Sequence, residues 1–75
     1  MKIEVFYIGG STGWVTAKFD ENGYQVGPAV YHWHKVDAVA FGSQAARGLS
    51  CELHIFTRHA TLGNVINYSA GKIAC

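Results

Sequence analysis

Two histidines flank a tryptophan at His32-Trp33-His34. In an extended segment both imidazoles point to one side, a spacing that zinc sites use. A tetrahedral shell would draw its remaining ligands from His54, His59, Cys51, Cys75 or a carboxylate, and no CxxC or HxxxH pattern supports that. The reading preferred here is structural: His34 stands at a helix entrance and His32 in a partly exposed strand, so neither a metal nor any other cofactor is expected.

Other candidate chemistry is sparse. Cys51 with His54 or His59 could form a nucleophile and base pair, but a cysteine opening a strand is more often packing. The serines lack the strained elbow that exposes a hydrolase nucleophile, and the carboxylates form no sequence pair beyond the turn dipeptide Asp20-Glu21. The glycine-rich GGSTG of residues 9–13 is not followed by the Lys-Ser or Lys-Thr and helix of a phosphate-binding loop. It reads as a hairpin loop, and no enzyme is expected.

Nucleic-acid binding is the runner-up reading, since a small sheet bearing aromatics can stack bases. Lys2, Lys18 and Arg58 are the cations that folding could gather on one sheet face. The charge balance opposes it: six basic and five acidic residues give a net charge of +1, without the basic stripe that tracks phosphates.

The elements that must position these residues follow from period and punctuation. Residues 2–8, KIEVFYI, are β-branched and aromatic, and WVTAKF at 14–19 is a second strand that ends at the turn cluster Asp20-Glu21-Asn22-Gly23. Tyr24 and Val26 prolong that hairpin as a short third strand, stopped at Gly27-Pro28. From Lys35 the period lengthens: Val36, Val39, Ala40, Ala46 and Leu49 recur at helical spacing, as one buried face requires. Asp37 suits the first turn, Arg47 the last, and Gly48 the position after the helix end. Gly42 and Ser43, inside the helix, should allow close approach to a sheet. Residues 51–57, CELHIFT, alternate as a strand, Leu62-Gly63-Asn64 reads as a turn, and residues 65–68 as a last strand. Ser69 to Cys75 reads as a frayed end.

The predicted fold is α+β: an antiparallel sheet of three to five strands with one helix packed on one face, in a single domain spanning 1–75. One helix covers one sheet face, yet the first strand carries Ile3, Val5 and Tyr7 on one side and Phe6 and Ile8 on the other. Charged residues make up only 15% of the chain, against about 25% in an average domain. An aromatic second face on so small a domain needs a cover, and a second copy of the chain is the most economical one. Phe6, Ile8, Tyr31, Trp33 and Phe56 are the expected protein-binding residues, with Trp14 turned into the core.

No signal peptide or membrane span is read from the sequence, and two cysteines without an export signal fit the cytoplasm. The expected partners are therefore the chain itself, as a homodimer, and possible further proteins, such as the target of a small inhibitor. Nucleic acid is a weaker expectation, and a membrane is not expected.

GWVTAKF after a short first strand, KVDAVAFGSQAAR as an Ala-rich helix, and CELHIFTRHATLGNVI resemble the domain-of-unknown-function family numbered twenty-one eighty-eight. The similarity runs from about Ile3 to Ile66. It implies a ββαβ arrangement in which Gly13-Trp14 opens the second strand, Ala38, Ala45 and Ala46 are close-packed helix positions, and Leu53, Ile55 and Gly63 mark the later strand and turn. It implies no activity. The chain differs from the family in its longer, more aromatic DENGYQVGPAVYHWH segment and its fewer charges.

Overall fold

The computed structural model describes residues 1–10 and 13–68. The chain forms β1 (Lys2–Tyr7), β2 (Trp14–Phe19), β3 (Val30–His32), α1 (Lys35–Leu49), β4 (Glu52–Phe56) and β5 (Leu62–Asn67). The strands make one five-stranded sheet in the order β3-β2-β1-β4-β5, and α1 packs on one of its faces. The expected α+β class and single covering helix are what the chain adopts. One pairing departs from the antiparallel expectation: β4 lies parallel to β1, with Ile3 beside Leu53 and Val5 beside Ile55. The reason is the connection, because α1 carries the chain from one sheet edge over β2 and β1 and so returns β4 in the direction of β3.

The core is built on small helix residues. Ala38, Gly42 and Ala46, one helical turn apart, are the buried positions of α1. Beneath them lie Ile3, Val5 and Leu53, the largest fully buried side chains. A Cβ on Gly42 would stand 3.0 Å from Val5 Cγ2 and 3.1 Å from Leu53 Cδ1, so the helix axis approaches as closely as glycine allows. This confirms the close-packing role of Gly42 and corrects the expected buried face. Val36 is 72% exposed and Leu49 45% exposed, and Ala40 is exposed as well. The apolar spacing of Val36, Val39, Ala40, Ala46 and Leu49 straddles two adjacent stripes. The sheet selects the smaller one because the branched side chains of β1 and β4 fill the space between the layers.

The helix ends also differ in detail. His34 is the N-cap in extended conformation, as expected for the entrance. At the other end Gly48 remains helical, and Ser50 takes the left-handed turn (φ 54°, ψ 50°) in its place. The Cys51 amide donates to the Ala46 carbonyl at 3.0 Å, closing the helix so that Cys51 enters the core.

Two turn assignments shift. Tyr24 and Val26 form no strand; an isolated bridge joins Phe19 to Gln25, and the third strand comes later, at Val30–His32. The Asp20 carboxylate accepts from the Asn22 and Tyr24 amides at 2.9 and 3.0 Å, so the Asx turn forms as the residue types predict. Further along, the turn lies at Thr57–Thr61, where the Thr57 amide donates to the Thr61 carbonyl at 2.8 Å. Leu62-Gly63-Asn64 is strand, with Gly63 absorbed as a bulge where the β4–β5 register shifts. The hydroxyl of Thr57 accepts from the His59 amide at 3.3 Å and the Thr61 amide at 3.4 Å, which organises a turn without glycine. The expectation for Ser69 to Cys75 lies outside the described residues, as does Cys75 as a partner for Cys51. Among the described residues no helix is long and apolar enough to cross a membrane.

Candidate functional site

The histidine pair is taken up by the fold in two different ways. His32 pairs across β2–β3 with Trp14 and lies on the helix side, its ring 5.5 Å from that of Phe41. Its Nε2 sits 3.2 Å from Thr16 Oγ1, which itself donates to the Ala38 carbonyl at 3.1 Å. A hydroxyl has one proton, so the imidazole must be the donor and Nε2 carries a hydrogen. His32 is thus a strap between the edge strand and the helix, whereas His34 is exposed at the N-cap. Among the described residues no group of three or more His, Cys, Asp or Glu is placed to hold a metal ion.

Cys51 is buried, and burial pushes its thiol above the ordinary value of 9.0. A thiol shifted in that direction holds its proton and is a poor nucleophile. His54 lies 3.0 Å from the Glu52 carboxylate on the opposite sheet face from the core residue Leu53.

The candidate cations for nucleic acid do not converge. Lys2 pairs with Glu4 at 3.0 Å on the face away from the helix. Lys18 stands beside Ile3, on the helix side. Arg58 lies over the Tyr7 ring at 5.0 Å, in a stack that continues from Tyr7 to Trp14 (5.0 Å between centroids) and from Trp14 to Lys35 (5.3 Å). That stack explains the buried Trp14, only 7% exposed and in the core as predicted.

The open sheet face has a definite pattern. Tyr31 pairs with Val15, Val15 with Phe6, and Phe56 with Leu62. Phe6 and Phe56, each one residue past the paired Val5 and Ile55, line a common depression of about 250 Å³ with Phe19. An apolar row therefore crosses all five strands. The next rows are mixed: they hold the Lys2–Glu4 and His54–Glu52 pairs, both at 3.0 Å, beside Ala17, Phe19 and Val65. Of the predicted binding residues, Phe6, Tyr31 and Phe56 fall in the row. Ile8 and Trp33 lie just past the ends of β1 and β3 and are exposed. Sequence reasoning missed Leu62, 47% exposed, because the glycine between it and Asn64 read as a turn; Val65, also 47% exposed, was read as strand but given no place on this face. Phe19 falls on the same face by alternation with Val15.

A second concavity lies on the other side of the sheet. Phe41, Ala45, Gly48 and Leu49, a stripe at helical spacing next to the buried one, face the segment Val26–Val30 across β2. The groove between them measures about 380 Å³, and among the described residues that line it Lys18 alone is charged. The outer wall exists because Gly27 (φ 75°) turns the chain away from β2, its carbonyl held at 3.0 Å by the Gln25 amide. No protein-family model, curated protein or solved structure matches the chain.

Proposed function

We propose that the chain is a non-catalytic, cytoplasmic protein-binding module that works as a homodimer. The copies join through the sheet face away from α1. The observation that carries this reading is the apolar row Tyr31, Val15, Phe6, Phe56 and Leu62, which crosses every strand and on which no element of the described residues lies. Edge strand β5 adds to it: all six of its residues are exposed, and none is charged. Within the row Tyr31 and Leu62 are exposed, Phe6 and Phe56 partly exposed, and Val15 buried; apolar side chains open on both sides of the row mark an association site, and a two-fold dimer brings identical rows together without like charges meeting at the centre. Trp33, 66% exposed, stands at one end of the row and serves as an anchor for a further protein.

Light scattering over a concentration series tests the reading. The wild-type chain should weigh twice its 8.2 kDa, and Tyr31→Asp with Phe6→Ser should return it to monomer with unchanged circular dichroism. A wild-type monomer at every concentration would sink the proposal.

A further inference from the structure

The groove on the helix side is separate from the open face and calls for its own account. Its walls are apolar: Phe41 and Leu49, each 45% exposed, on the helix, and Val26, Pro28 and Val30 opposite. Its floor is β2. Position 18 lies on the helix-facing side of the sheet beside Ile3, which is 2% exposed, and a lysine occupies it. Lys18 is half-buried and makes no ion pair among the described residues. Among the described residues no carboxylate lines the groove. The nearby C-terminal end of α1 offers only about half a charge of opposite sign, through its dipole.

We propose that this groove is a binding site for a small apolar monocarboxylate, whose tail lies between Phe41, Leu49 and Val30 and whose carboxylate pairs with Lys18. About 380 Å³ falls in the lower range of small-molecule sites, large enough for a medium-length aliphatic chain or one aromatic ring. A single cation among apolar walls is complementary to one carboxylate on an apolar body. It selects against a neutral analogue, which leaves the ammonium uncompensated, and against an amine, which repels it. Gln44 on the rim offers an amide to the second carboxylate oxygen. The ligand held here does not depend on whether the chain dimerises through the opposite face.

Octanoate, octanol and octylamine, titrated into the full chain and followed by amide chemical shifts, test the site. Octanoate should saturate with a Kd of about 0.1–1 mM, the range set by ligand size, and shift the residues lining the groove. Octanol should bind at least tenfold more weakly, and octylamine not at all. Lys18→Met keeps the stem and removes the charge; it should weaken octanoate at least tenfold and leave octanol unchanged. Gly48→Leu projects into open space, since nothing lies within 4 Å of a Cβ there, and should abolish binding of both while the helix stays intact. Equal affinity for octanoate and octanol, full octanoate binding by Lys18→Met, or shifts confined to the open sheet face would each overturn the proposal.

Discussion

The two edges of the sheet are finished in opposite ways. β3 is three residues long, and its His32 is strapped to the helix through Thr16 and lies against Phe41. β5 is six residues long and exposed throughout. One helix of fifteen residues, laid over β2, β1 and β4, reaches β3, while all six residues of β5 stay exposed. A short, strapped edge is one of the ways proteins prevent strand addition, whereas a long uncharged edge invites it. Placing the protection on one side alone leaves β5 and the apolar row that ends on it as the region available to a partner.

Three substitutions would break or sharpen that contrast. The largest effect is expected from Gly42→Val, which forces branched carbons onto Val5 and Leu53 and lifts the helix off the sheet. Overpacking of this kind costs about 3 kcal/mol, read as a lower midpoint in urea denaturation. Both edges should then exchange their amide hydrogens rapidly, and a variant as stable as wild type would show that the layers are not in close contact. Thr16→Val should cost about 1–2 kcal/mol, because it keeps the shape but leaves the His32 N–H and one lone-pair site of the Ala38 carbonyl without the hydroxyl. Its exchange signature should be confined to β3, and uniform loosening would contradict the strap. Val65→Lys on β5 should change monomer stability by less than about 0.5 kcal/mol, as at any exposed site, while reducing the dimer fraction in light scattering. A dimer unaffected by this lysine would move the interface away from β5.

The contrast between edges was half legible in the sequence. Alternation placed Phe6 opposite Ile3 and Val5 and put His54 and Phe56 opposite Leu53 and Ile55, because the strand period of two acts residue by residue. The length of β5 was not legible. A glycine beside an asparagine has turn chemistry, yet pairing with β4 absorbs Gly63 as a bulge and extends the strand back to Leu62. The third strand was displaced for the related reason that Gly27, with φ of 75°, turns the chain off β2 before Val30 pairs with Thr16. Of the candidate site, the aromatic members were visible by residue type, but the groove was not, since its walls come from α1 and the 26–30 segment, which lie apart in sequence.

What the sequence alone determined is what short-range physics decides: β1 and β2, the start of the helix at Lys35, the His34 entrance, the Asp20 turn, and the tight approach at Gly42. Backbone period, Asx hydrogen bonding and the missing Cβ of glycine operate within a few residues, so they can be read locally. The tertiary structure decided the rest. The parallel pairing of β1 with β4 follows from where the helix delivers the chain, and the choice of Ala38, Gly42 and Ala46 over the larger stripe follows from the shape of the sheet beneath. Lys18 belongs to the same class: its position on the helix side comes from the register with Ile3, and its half-buried place in the groove comes from walls contributed by distant segments. Both are properties of packing between surfaces, which no window along the chain contains.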